Sequence, residues 1–96
     1  KAALIKAIQK NLKHEQTGIF SNYDKDSFGL LKKTDKNEKV KLTQCMLICK
    51  GYNLGSCGAD GDFGNNTHFA VCEFQKDNWL VVDGIVGPIT SFRLFK

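Results

Sequence analysis

Ninety-six residues with 42% hydrophobic content suffice for one compact domain that buries roughly 60–65% of the surface its unfolded chain would expose. The net charge of +4 is unevenly placed: residues 1–50 carry eleven lysines against five acids, residues 51–96 three bases against five acids. No apolar run is long enough for a transmembrane helix or a secretory hydrophobic segment, and the lysine-rich half fits an anionic partner as readily as it fits ordinary solvated helix faces.

In chain order, Ala2 to Lys13 places Leu4, Ile5, Ile8 and Leu12 at helical spacing without Gly or Pro, which predicts an amphipathic helix. Gln16 to Ser21 breaks it. Asp24 to Lys33 is a weaker helix, with Phe28, Leu30 and Leu31 as its apolar points and Gly29 against it. Thr34 to Glu38 is a polar loop in which Thr34 or Asp35 is placed to cap the next helix. Lys39 to Lys50 is the second strong helix, stopped by Gly51 where positive φ is wanted. Tyr52 to Asp62, with Gly55, Gly58 and Gly61, is a loop. Asn65 to Lys76 is the third strong helix, its apolar residues being Phe69, Ala70, Val71 and Phe74, and Asn78 supplies its left-handed end. Leu80 to Val82 is a brief strand or a packed connector. Pro88 to Phe95 closes the chain as a short helix that turns Ile89, Phe92 and Leu94 or Phe95 inward. The fold class is all-α.

One phrase occurs twice, as Asp60-Gly61-Asp62-Phe63-Gly64-Asn65-Asn66-Thr67 and as Asp83-Gly84-Ile85-Val86-Gly87-Pro88-Ile89-Thr90. Each copy reads as a turn that ends in a helix start. The Asp carboxylate accepts backbone N–H groups two or three residues on, and Gly61 and Gly84 take positive φ without a Cβ clash. Phe63 and Val86 face inward, and Gly64 and Gly87 serve as N-caps. Pro88 sits at the first helical position, and Thr67 and Thr90 at the third, where a hydroxyl can return to the turn. A fainter copy, Thr17-Gly18-Ile19-Phe20-Ser21, lies upstream, and Gln9 and Gln44 occupy matching places in the preceding helices. Residues 1–38 are therefore expected to be an N-terminal helical extension that is a degenerate repeat of the later segment.

Four cysteines form no Cys-x-x-Cys pair. Cys45 with Cys49, and His68 with Cys72, stand four residues apart on helix faces. Free thiols, one or two disulfides, and a metal held between helices all remain open on this spacing.

The series from Val40-Lys-Leu-Thr-Gln44 through Gly51-Tyr52-Asn53, the first Asp-Gly phrase, Phe74-Gln75, Leu80 and the second phrase to Leu94 resembles the peptidoglycan-binding domain appended to bacterial and phage cell-wall hydrolases. The likeness covers residues 40–95 almost without a gap. It implies a small bundle of three core helices, at about 39–50, 65–77 and 88–95, preceded by one or two further N-terminal helices in one compact unit with residues 39–96. It also implies non-catalytic binding of peptidoglycan, with an attached amidase, muramidase or peptidase held near its insoluble substrate. The expected setting is extracellular, at the bacterial cell wall, and the chain, beginning at Lys1, is expected to be processed or cut from something longer. Departures from the family pattern are Thr43 in place of Leu, a longer loop containing Cys57, and Trp79 in place of Gly.

Binding to sugar faces and stem peptides calls for an aromatic surface with amide or carboxylate groups beside it. Tyr52, Asn53, Asp62, Asn65, Asn66 and Trp79 are the candidates, with Asp62 expected to point outward. Gln44 and Gln75 are expected to be structural, bonding loop backbone from within the bundle. No catalytic residue, metal site or cofactor is expected: His14 and His68 lie on different helices, no Gly-x-Ser-x-Gly elbow is present, and the segment from Asp60 lacks the Gly and Glu a calcium loop requires. A fold-retaining protein–protein module is the alternative, and a helical nucleic-acid binder is disfavoured because Arg93 is the only Arg. A monomer without membrane insertion is expected.

Overall fold

Local signals set most of the helix ends: capping residues before α2 and α3, and left-handed residues after α1 to α4. The computed structural model describes residues 2–56 and 58–96, and among them lie α1 (Ala2–Asn11), α2 (Asn22–Phe28), α3 (Glu38–Cys49), α4 (Asn65–Asp77) and α5 (Pro88–Phe95). No strand is present among the described residues, only two isolated bridges, Leu31 with Val86 and Lys36 with Asp62. Leu80 to Val82 is accordingly a connector.

Helices α1, α3 and α4 end the same way. The backbone turns left-handed at Lys13 (φ 64), Gly51 (φ 93) and Trp79 (φ 60). The next residue's N–H then reaches back five positions, from His14 to Gln9, Tyr52 to Leu47 and Leu80 to Gln75. This double closure satisfies carbonyls the helix leaves open. It ends α1 two residues before the predicted Lys13. It also corrects the assignment of Asn78, whose φ is −107; the tryptophan itself takes the position that favours glycine.

Helix α2 departs most from expectation. It starts early because Ser21 accepts the Asp24 N–H while the Asp24 carboxylate accepts the Ser21 N–H, a reciprocal capping box. Gly29 (φ 77) then ends it five residues short of Lys33. Similarly, Asn37 rather than Thr34 or Asp35 caps α3, its side chain accepting the Val40 N–H at 2.8 Å. The freed residues 31–36 run as a strap across both Asp-Gly turns. Leu31 exchanges N–H···O bonds with Val86, and the same segment bonds Phe63 through Thr34 and Asp35.

Helix α3 is central, burying Val40, Leu42, Thr43, Gln44, Met46 and Leu47 around most of its circumference. Thr43 is accommodated by bonding its hydroxyl to the Lys39 carbonyl. Helix α1 packs on α3, α2 on α5, and α4 and α5 both on α3. Phe20, Phe28, Phe63, Phe74 and Phe95 join Ile5, Ile8, Leu31 and Leu94 in one core. On α5 both Leu94 and Phe95 are buried, whereas Ile89, expected inward, is 70% exposed. It lies in the first turn of α5.

Candidate functional site

Each Asp-Gly turn is closed from beneath by a buried glutamine. Gln75 Nε2 donates to Asp83 Oδ1 (2.8 Å), the Ile85 carbonyl (3.0 Å) and Thr90 Oγ1 (3.1 Å). Its Oε1 accepts the N–H groups of Asp83 and Gly84. Gln44 repeats the pattern with Asp60 Oδ1 (3.3 Å), the Asp62 carbonyl (3.0 Å) and Thr67 Oγ1 (2.8 Å), and accepts the Gly61 N–H. A glutamine suits this place because one amide both donates and accepts, so a single side chain serves a turn's carbonyl and its N–H together. Gln9 does the same for the N-terminal segment, binding Thr17 Oγ1, the Ile19 carbonyl and Asp24 Oδ2 and accepting the Gly18 N–H.

The two full turns also share backbone geometry. Gly61 and Gly84 have φ of 80 and 73; the N-caps Gly64 and Gly87 have φ, ψ of −98, −162 and −96, −166. Gly84 is further required by the His68 ring, which lies so close that a Cβ there would meet Cε1 at 2.2 Å.

A cleft opens beside each turn at the start of the following helix. The one at α4 measures about 330 Å³ and is lined by Leu54, Gly58, Asp60, Asp62, Asn65 and Asn66. Asp60 accepts the Asp62 N–H at 2.9 Å and the Gln44 amide, and these bonds hold its carboxyl below the usual carboxylate range. Asp62 is exposed, with Lys36 Nζ at 3.8 Å. The cleft is therefore rich in acceptors, with the two asparagine amides as its versatile members, a lining suited to hydroxyl, amide and ammonium groups. The counterpart at α5, about 390 Å³, is lined mainly by Leu30, Val81, Ile85, Pro88 and Ile89.

Of the six residues singled out as ligand contacts, the structure brings Asp62, Asn65 and Asn66 together in the α4 cleft. Asn53 instead shapes the neighbouring loop, its Oδ1 accepting the Gly55 N–H at 2.8 Å. Asn66 covers Gly55 so closely that a Cβ on that glycine would meet its amide nitrogen at 2.4 Å. Tyr52 stands edge-on to Phe74 and donates its hydroxyl to Asp77 Oδ2 at 2.7 Å. Burial, that bond and the nearby charges of Asp77 and Glu73 push its pKa up to about 12. Trp79 follows α4 and is 95% exposed. Helix α4 spans about 18 Å, so Tyr52 and Trp79 stand at the far end from the cleft. The cleft residues Leu54 and Gly58, and all the apolar lining at α5, were not singled out as ligand contacts from the sequence. Aligning the two phrases would have found part of it, since Asp62 falls on Ile85 and Asn66 on Ile89.

Among the described residues no group of three or more His, Cys, Asp or Glu side chains is placed to hold a metal ion. His68 Nε2 and Cys72 Sγ are 3.7 Å apart. Cys45, Cys49 and Cys72 carry free thiols, and Cys57, with any pairing it makes, lies outside the described residues.

Residues 36–94 match the family described as "Putative peptidoglycan binding domain". The chain is 40% identical over 78 residues to the N-acetylmuramoyl-L-alanine amidase CwlL of Bacillus licheniformis, a match covering 81% of this chain and 22% of the amidase. It thus spans about a fifth of the curated amidases it matches. A peptidoglycan-binding protein from Clostridioides difficile, solved in complex with glutamine hydroxamate, superposes with a TM-score of 0.65 at 40% identity, covering 70% of this chain and 40% of that one. The SleB N-terminal domain superposes with a TM-score of 0.63 at 32% identity, covering 68% of this chain and 86% of that domain.

Proposed function

Because the chain belongs to the peptidoglycan-binding domain family, we propose that it is a non-catalytic module that binds bacterial cell-wall peptidoglycan. The observation that carries this reading is the α4 cleft, where the turn closed by Gln44 presents Asp60, Asp62, Asn65 and Asn66 on a rigid frame. Peptidoglycan sugars offer hydroxyl and acetamide groups that pair with such a lining. Asp62, Asn65 and Asn66 are the contacts we assign. Trp79 is assigned as an outlying aromatic platform, since its ring covers no core and is free to lie against a sugar face. Tyr52 and Asn53 support the frame through Asp77 and Gly55.

In the full-length protein the module holds a secreted cell-wall hydrolase at its substrate, raising the local concentration of cleavable bonds. Residues 1–38 belong to the same folding unit as a degenerate third copy of the turn, a reading supported by the hydrogen bonds around Gln9.

Co-sedimentation with purified peptidoglycan sacculi tests the proposal. The chain is expected in the pellet and to remain there in moderate salt. Recovery in the supernatant at every protein concentration would refute it, and binding abolished by modest salt would reduce it to attraction between lysines and a polyanion. Asp62→Ala with Asn66→Ala is expected to weaken retention without changing the unfolding midpoint.

A further inference from the structure

The two clefts form an internal control. They occupy the same place on the same backbone turn, yet Asp62, Asn65 and Asn66 at α4 are replaced by Ile85, Pro88 and Ile89 at α5. Folding does not demand apolar residues here, because the α4 copy makes the same turn with polar ones. Nor do the apolar residues gain much burial: Leu30, Val81 and Ile89 are 60%, 79% and 70% exposed. An apolar lining that the turn does not require and the core does not cover marks a surface built to meet something.

Resting on the peptidoglycan reading above, we propose that the α5 groove of Leu30, Val81, Ile85 and Ile89 is a second subsite, which takes the stem peptide while the α4 cleft takes the glycan. Two observations choose this occupant. The groove and the cleft are joined by the strap, which meets Val86 at Leu31 and Asp62 at Lys36. These points are at most about 18 Å apart along the chain, so one polymer strand with its branch reaches both. The strap also carries exposed Lys32 and Lys33, two and three residues after Leu30 of the groove wall, and Asp83 is the charged residue of the groove's own lining. Peptidoglycan sugars are largely uncharged and hydroxyl-rich, whereas the stems are short peptides in which alanine methyls alternate with carboxylates. Methyl groups against Ile85 and Ile89, with carboxylates toward the lysines, match the stem and not the sugar.

The test uses the full chain, isotope-labelled, with two soluble probes: a synthetic stem pentapeptide ending in D-Ala-D-Ala, and glycan strands stripped of their stems. The peptide is expected to shift the backbone signals of Val81, Ile85 and Ile89, and the glycan those of Asp62, Asn65 and Asn66. Ile85→Asp with Ile89→Asn installs the residues the sister turn already tolerates and is expected to weaken the peptide about tenfold, leaving glycan affinity unchanged. Leu30→Ser, on the opposite wall, gives a second variant at an exposed position. Peptide shifts confined to the α4 cleft, glycan shifts in the groove, or wild-type peptide affinity in both variants would each overturn the proposal. So would a wild-type dimer that these substitutions dissociate without altering peptide affinity. Failure of the wild type to pellet with whole sacculi would instead overturn the family-based reading itself, whereas sacculus binding with a silent groove overturns only the subsite.

Discussion

The turn closed by Gln9 and those closed by Gln44 and Gln75 reach one geometry with their chemistry transposed. In the two C-terminal turns a carboxylate opens the turn and a threonine hydroxyl sits seven residues later, Asp60 with Thr67 and Asp83 with Thr90. In the N-terminal turn the order is reversed, Thr17 with Asp24, and in all three the glutamine amide bonds both. The exchange has consequences. At its new position the carboxylate is 2% exposed and also accepts the Ser21 N–H and hydroxyl and pairs with His14 at 2.7 Å, whose ring stacks on Tyr23. The N-terminal turn therefore depends on a buried charge, and the other two on neutral or exposed groups. What a turn of this kind needs is one acidic and one hydroxyl acceptor around a glutamine, in either order.

The largest expected effect comes from removing a hub. Gln75→Leu or Gln44→Leu leaves turn N–H and carbonyl groups without partners, and is expected to lower unfolding free energy by about 3 kcal/mol in chemical denaturation. A loss no greater than that of a surface substitution would show that the turns do not depend on the glutamine. Next is Asp24→Thr, expected to cost about 2 kcal/mol at neutral pH because the His14 and Gln9 amide partners are stranded. Adding Thr17→Asp, which completes the C-terminal order, is expected to return about half of that loss; no recovery would mean the two positions are not interchangeable.

Acid sharpens the same contrast. Burial raises the Asp24 carboxyl, but the Ser21 N–H, Gln9, His14 and the Ser21 hydroxyl together bring it below its ordinary 3.8. A carboxyl depressed on folding stabilises the protein above its unfolded pKa, and that contribution is lost as pH falls through the folded value. Stability is thus expected to drop on acidification below about 4, and Asp24→Asn to flatten the drop. An acid limb unchanged in that variant would assign it to Asp60, whose carboxyl is also depressed.

Trp79→Gly relieves a left-handed residue and is expected to raise stability by about 1 kcal/mol while weakening retention on sacculi. A gain in stability with full retention would remove Trp79 from the binding surface. The smallest effect is alkaline. The Tyr52 hydroxyl is raised from 10.0 to about 12, so its contribution is complete below pH 10 and fades between there and about 12. Tyr52→Phe should show no such fading in a pH series of melting temperatures.

Much was legible where spacing and turn chemistry agreed. Two copies of Asp-Gly-x-apolar-Gly-x-x-Thr, each behind a helix containing Gln, located α3, α4 and α5 to within a residue or two, because caps and left-handed stops act over a few neighbouring positions. Helix α2 was less legible: its apolar residues Leu30 and Leu31 continue a helical pattern that Gly29 ends, and Leu31 is buried by pairing with Val86 in a distant turn. The α4 cleft was half visible, since Asp62, Asn65 and Asn66 stand on one phrase, while Leu54 and Gly58 precede it without any motif to mark them.

By itself the sequence determined the all-helical fold and the paired turns, since both rest on local spacing and on which residue types tolerate a turn or a cap, and it carried the motif series whose resemblance pointed to the family. Only the tertiary structure decided that residues 31–36 form a strap over both turns, that Tyr52 is tied to Asp77 while Trp79 stands free, and that the two sister clefts differ in lining. Those depend on contacts between segments tens of residues apart, and no local pattern encodes which distant partner a side chain will meet.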